Sequence, residues 1–259
     1  MCLILFSYDM HPVYRMVLAA NRDEYYDRPT APLAFHDDSP EILGGRDLKH
    51  HGMWLGVTRD GRIAAITNYR DPELNIINAP SRGFLVRDFL AGDSSPKDYL
   101  EDVRSKKDRY NGYNLLVGDR SELFYYSNRG NRIQKLTSGI YGLSNHLLDT
   151  PWPKIIKGKS SLENLLNGKG NINSEDIFKL LRDGSFPPDS TLPDTGVGLE
   201  WERILSPLFI TSESYGTRSS SIVFVEREGE ITFMERTFIP EGSISKPERI
   251  RKYTFQIKI

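Results

Sequence analysis

Apolar and polar positions along the chain alternate in a way that predicts strands at both ends and helices between them. Residues 2–8 and 14–20 are runs rich in aliphatic and aromatic side chains. The cluster Asp9-Met10-His11-Pro12 between them reads as a turn, so two strands joined by a short connection are expected. Residues 54–58 and 62–67 flank Arg59-Asp60-Gly61, a hairpin signal, and residues 113–117 and 123–126 flank a second turn at Gly118-Asp119-Arg120-Ser121. Residues 133–136 and 140–143 predict further strands.

Helical spacing takes over in two stretches. Phe84, Leu85, Phe89 and Leu90 recur on one face after Ser81, which reads as the N-cap, and Ser95-Pro96 predicts the start of another helix. Apolar residues from Ile155 to Leu166 predict a helix over 153–167, and those from Ile177 to Leu181 predict one after Asn173-Ser174. Residues 183–200 carry three prolines and three glycines and read as an irregular loop, either a lid or a passive connection. Strands return at 219–225 and 231–238, with Gly229 at the turn and a last strand expected at 253–259. No linker or internal repeat interrupts this order. One α+β domain of packed sheets and helical layers over 1–259 is the expectation.

Composition narrows the function classes. Lys+Arg is 34 and Asp+Glu is 35, a net charge of −1, so no basic field exists to hold nucleic acid. The longest apolar runs have five residues, 2–6 and 16–20, far below the ~20 that span a membrane. The expectation is a cytoplasmic protein with no transmembrane segment. The single cysteine, Cys2, excludes an internal disulfide. The five histidines include the neighbours His50 and His51 and show no ligand spacing, so no metal site is expected. Lys246, Arg249, Arg251, Lys252 and Lys258 read as protection of an edge strand, and Trp54, Tyr69 and Tyr113 as core or site wall.

Candidate chemistry begins at Cys2. Initiator methionine is removed before a small residue, which would leave the thiol beside a free α-amine with pKa near 8. Such an amine can act as base for its own side chain. The other reading is that Cys2 simply starts a buried strand. Asn21-Arg22-Asp23-Glu24 follows the run 14–20 and reads either as a solvated turn or as site groups displayed at a strand exit. Three more stretches, each alone readable as a turn, are Thr67-Asn68-Tyr69-Arg70-Asp71-Pro72 after an apolar run, Tyr141-Gly142-Leu143-Ser144-Asn145-His146, and Tyr215-Gly216-Thr217-Arg218-Ser219-Ser220-Ser221 before a strand. Asn can donate to an oxyanion, and Arg can clamp a carboxylate.

Taken in order, MCLILF, LAANRDEYYDRP, LGGRD, MWLGVT, AAITNYRDP, YNGYNLL, YGLSNHLLDTPWPK and YGTRSSSIVFV resemble the NRDE family, also called the transport and Golgi organisation 2 family. The resemblance implies the N-terminal-nucleophile hydrolase fold, a four-layer α-β-β-α sandwich of two antiparallel sheets. It points toward the branch of bile-salt hydrolases and penicillin V acylases. It implies Cys2 as nucleophile, Asp23 as the carboxylate that orients amine and thiol, Asn68 and Asn145 as oxyanion donors, and Arg218 as a late arginine beginning a strand. Asn21, Arg22, Glu24, Trp54, Tyr69 and His146 are expected binding residues. One departure stands out: the arginine expected before the Asn is Ala20 here, with Arg22 two residues on. The implied activity is hydrolysis of an amide or ester with no required cofactor. The alternative is intracellular haem or acyl-lipid trafficking, with haem as a carried ligand.

Overall fold

The computed structural model describes residues 2–168, 170–238 and 249–258. Its strands are β1 (Cys2–Tyr8), β2 (Tyr14–Tyr25), β3 (Thr30–His36), β4 (Ser39–Asp47), β5 (Leu55–Thr58) and β6 (Ile63–Asn68), then β7 (Tyr113–Gly118), β8 (Leu123–Ser127), β9 (Arg132–Lys135) and β10 (Gly139–Leu143), and finally β11 (Tyr215–Glu226), β12 (Glu230–Thr237) and β13 (Arg249–Gln256). The helices are α1 (Gly83–Ala91), α2 (Pro96–Ser105), α3 (Pro153–Leu166), α4 (Ser174–Leu181) and α5 (Leu199–Ile204). The chain divides into two compact units, one of residues 1–27, 138–144 and 149–255, the other of 28–137, 145–148 and 256–259.

The first unit holds a six-stranded sheet in the order β10-β1-β2-β11-β12-β13. Successive side chains on a strand face opposite ways. Leu3, Leu5, Val17, Ala19, Ile222 and Phe224 therefore share one face, where they pack with Ile155 and Leu162 of α3 and Ile177, Phe178 and Leu181 of α4. Leu5 lies so close to Gly158 of α3 that a Cβ there would come within 2.6 Å of it, so the glycine lets the helix settle on β1.

The second unit is a seven-stranded meander, β3-β4-β5-β6-β7-β8-β9. Ile42, Ala64, Ile66, Tyr113, Leu115, Val117, Phe124 and Tyr126 face Leu85, Val86, Phe89 and Leu90 of α1 and Leu100 and Val103 of α2. Tyr113 thus belongs to the core. α2 and α4 begin at Pro96 and Ser174, where the sequence predicts helix starts; Ser95 caps α2 by accepting the Asp98 N–H at 3.1 Å, and Asn173 caps α4 by accepting the Glu175 N–H at 3.0 Å. α1 starts one residue later than expected, with Arg82 at the cap position, but the Ser81 hydroxyl still accepts the N–H of its first residue, Gly83, at 3.3 Å.

Several expectations change. β2 does not stop at residue 20 but runs to Tyr25, so Asn21–Glu24 are strand residues rather than a turn. β3 and β4 occupy a stretch with no predicted element. The 183–200 loop holds one short 3-10 turn, Asp189–Thr191, and leads into α5. β13 starts at Arg249 and carries Arg249, Arg251 and Lys252 at the sheet edge, while Lys258 pairs with Glu41 at 2.9 Å. Lys246 lies outside the described residues. No helix among the described residues is long and apolar enough to cross a membrane.

Candidate functional site

Three neighbouring strands of the first unit meet where β1 begins. Cys2 is the direct partner of Arg22 on β2, and Arg22 is in turn the partner of Ser219 on β11. Opposed residues of an antiparallel pair share a face. Cys2 and Arg22 therefore project to the same side, together with Ile4 and its partner Ala20. The register slips between Thr217 and Ser219, which makes Arg218 the extra residue of a β-bulge. A bulge re-aims a side chain, and Arg218 Nη1 donates to the Tyr25 carbonyl at 2.7 Å.

The four residues 21–24 serve different ends. Asn21 turns toward the helices. Its amide nitrogen donates to the carbonyls of Leu181 and Leu208, each at 2.8 Å, and its oxygen accepts the Ser220 hydroxyl at 2.6 Å. It is 1% exposed and braces β2 against the segments that carry Leu181 and Leu208. Arg22 is buried beside the cysteine, with Glu24 4.0 Å away. Glu24 accepts the Tyr25 N–H at 3.0 Å. Asp23 is buried, and its Oδ1 accepts the Thr217 hydroxyl at 2.7 Å.

Burial dominates the electrostatics. It pushes the Asp23 carboxyl up, opposed by the positive amino terminus, the Lys154 ammonium, the Thr217 hydrogen bond and the Arg22 guanidinium. It also pushes the Cys2 thiol up. The charge of Asp23 adds to that effect, while Arg22 and the Asp23 backbone N–H act against it. Burial and the charge of Arg22 lower Arg218. Lys154 is itself buried in the first turn of α3, where Nζ donates to the Leu205 carbonyl at 2.8 Å. Ser144 Oγ reaches the Cys2 carbonyl at 3.3 Å.

The second unit gathers other expected residues. Asn145 is fully buried, and its amide donates to the Asn68 carbonyl at 2.9 Å, while the Asn145 carbonyl accepts the Arg70 N–H at 2.7 Å. The rings of Tyr69 and His146 lie 4.9 Å apart. Burial lowers His146 and raises Tyr69. Asn114 holds this arrangement by donating to the His146 carbonyl at 3.0 Å and to Thr67 Oγ1 at 3.1 Å. Trp54 instead packs on Gly45, leaving no room for a Cβ there. No cluster of three metal-ligating side chains occurs among the described residues.

The sequence pattern described as "Transport and Golgi organisation 2" matches residues 1–240. The chain belongs to the Transport and Golgi organisation 2 family. The Transport and Golgi organization protein 2 homolog of Bos taurus is 37% identical over 280 residues, covering 100% of this chain and 99% of the relative. The Homo sapiens homolog is 35% identical and covers 99% and 100%. Among solved structures, a mutant conjugated bile acid hydrolase from Clostridium perfringens superposes with a TM-score of 0.51 at 12% identity, over 99% of this chain and 97% of that one. That likeness gives the fold: an α+β arrangement of two antiparallel sheets of the N-terminal-nucleophile hydrolase type.

In this member of the Transport and Golgi organisation 2 family, the first unit assembles Cys2, Arg22, Asp23, Glu24 and Arg218, and the second assembles Asn68, Tyr69, Asn145 and His146. Sequence reasoning gave no role to Lys154 or Thr217. Lys154 had a signal: a cation in the first turn of a helix opposes the helix dipole, so it needs a compensating partner. Thr217 had none, because its role depends on the bulge beside it.

Proposed function

We propose that this chain is a cytoplasmic N-terminal cysteine hydrolase acting on an amide or ester. The observation that carries the proposal is the register at the start of β1, which sets Cys2 opposite Arg22 at the end of the strand pair that also holds Asp23. Once Met1 is removed, the α-amine of Cys2 takes the thiol proton, and Sγ attacks the carbonyl carbon. The carbonyl oxygen takes up negative charge, which a nearby N–H must stabilise; the family resemblance gives that role to Asn68, with Asn145. The ammonium then returns its proton to the departing amine or alcohol, leaving a thioester that water hydrolyses by the same base. Asp23 orients the amine. Arg22 supplies beside the thiol the guanidinium that Ala20 lacks, and Arg218 holds the strand end.

Intact-mass measurement of the purified protein is expected to show Met1 absent. Release of acid from a panel of N-acyl amides and esters is expected, with loss of at least a hundredfold in Cys2→Ala. Retention of Met1, or hydrolysis that survives in Cys2→Ala, overturns the proposal.

Ala20 favours a second reading, a carrier that holds haem or an acyl chain without turning it over. A titration followed at the Soret band tests the haem form. Saturable binding is its expected outcome, and a linear, non-saturating response removes it.

A further inference from the structure

We propose that Thr217 is a positioning residue: a directed chain of donors running from Ile210 through its hydroxyl fixes the Asp23 carboxylate. This rests on the reading of Asp23 as the group that orients the Cys2 amine, but it is tested on Asp23 itself.

The direction of the chain follows from counting donors. Thr217 Oγ1 accepts the Ile210 backbone N–H at 2.9 Å. The Thr217 backbone N–H donates back to the Ile210 carbonyl at 2.8 Å. This reciprocal pair holds the threonine against the segment 205–210. The hydroxyl has one proton, and Asp23 Oδ1 at 2.7 Å is an acceptor for it. A carboxylate accepts, so the proton points to Asp23 and the upstream N–H polarises it further.

The segment that anchors the chain is itself braced. Its carbonyls at Leu205 and Leu208 take donors from Lys154 of α3 and Asn21 of β2. It also approaches β11 more closely than most residues allow: a Cβ at Gly216 would sit 2.6 Å from the Ile210 carbonyl oxygen. Gly216 and Thr217 thus act together, one admitting the segment and the other bonding to it. The γ-methyl of threonine restricts χ1, which serine lacks and valine shares without the hydroxyl.

The charged groups acting on Asp23 are the amino terminus on the β1 side, Lys154 from α3 and Arg22 on its own strand, with the Cys2 thiol also near; from β11 comes the neutral hydroxyl of Thr217. A donor to the carboxylate favours the ionised form. Removing it shifts the Asp23 titration to higher pH, and with it the acid limb of any property that needs the carboxylate.

The test is a carbon-13 NMR titration of the Asp23 carboxyl in the full chain. Thr217→Val is expected to move the midpoint up by about one pH unit, the loss of one charge-assisted hydrogen bond. Thr217→Ser is expected to return it to within a few tenths of a unit of wild type. A Thr217→Val midpoint equal to that of wild type overturns the proposal. Should valine prevent folding, the wild-type protein decides: a bonded hydroxyl exchanges slowly and splits the Thr217 Cβ signal in mixed H2O/D2O. Absence of that splitting overturns the proposal. Neither readout needs a substrate, so failure of the hydrolase reading alone leaves both intact.

Discussion

Asp23 shows how a buried carboxyl can cost stability. Burial raises its carboxyl, so the folded protein holds that proton more tightly than the unfolded chain does. The sign follows from linkage: this group favours folding most at pH below the ordinary carboxylate value of about 4. Its contribution falls as pH rises through that value toward the raised folded one, and stays low above it. Asp23→Asn keeps an oxygen for the Thr217 hydroxyl and removes the buried charge. Differential scanning calorimetry at pH 7 is therefore expected to give a Tm about 2–4 °C above wild type, the size of ~1 kcal/mol in a chain of this length. The gap should close as pH falls below about 4. A lower Tm for Asp23→Asn at pH 7 would mean that its favourable partners outweigh burial. The same chemistry explains why residues 21–24 were hard to read. Asn, Arg, Asp and Glu in a row predict solvent, and only their tertiary partners make them strand. Asn21 is occupied by carbonyls of residues 181 and 208, which lie far along the chain.

Elements show the same division between local and distant causes. α1 has no basic residue in its last turn and ends at Gly92 in an extended conformation. Its cation comes from outside: Arg62, buried just before β6, donates to the Phe89 carbonyl at 3.0 and 3.2 Å and to the Ser94 carbonyl at 2.8 Å. Its guanidinium lies 4.0 Å from the Phe89 ring centroid. Arg62→Ala leaves the buried Phe89 carbonyl without this donor and is expected to cost about 2–4 kcal/mol, read as a lower urea midpoint at unchanged m. Arg62→Lys should recover only part, since an ammonium cannot fork between the same acceptors. An unchanged midpoint in Arg62→Ala would show that water satisfies these carbonyls. The hairpins were legible because their turns are local chemistry; Gly61 at φ +91° supplies the left-handed residue that β5–β6 needs. β3 and β4 were not. Pro32 and Pro40 interrupt them, Gly44 and Gly45 dilute them, and β3 lacks a clean alternation of buried and exposed positions. Gly45 is there because Trp54 occupies the space of its Cβ, a cause nine residues away. Lys154 and Arg62 share a lesson. Each charge is buried against carbonyls of another element, so its meaning lies in the partner.

At the scale of the molecule, the two sheets differ in how far the chain must travel to close them. Every strand of the second unit's sheet pairs with its neighbour in sequence. The first unit's sheet needs β2 to find β11, and the Asp23–Thr217 bond spans 194 residues. Loop-closure entropy grows with the logarithm of loop length. Joining ends that far apart costs roughly 3 kcal/mol more than closing a hairpin, before any contact repays it. Non-local pairing also slows folding. The β3–β9 meander, from Thr30 to Lys135, is therefore expected to form first, and the β2–β11 seam last. Pulsed hydrogen exchange during refolding tests this. The Ile66 amide, bonded to the Trp54 carbonyl at 2.8 Å, should gain protection before amides at residues 222–224 of β11. Simultaneous protection, or the reverse order, refutes it. The same order makes a kinetic statement about the site. Contacts formed after the transition state leave the folding rate alone and change unfolding. Thr217→Val is accordingly expected to speed unfolding about in proportion to its loss of stability, while its refolding rate stays within about twofold of wild type. Slowed refolding would instead place the seam in the nucleus. The candidate site would then be among the first structures the chain builds, because Cys2, Arg22 and Ser219 share one register.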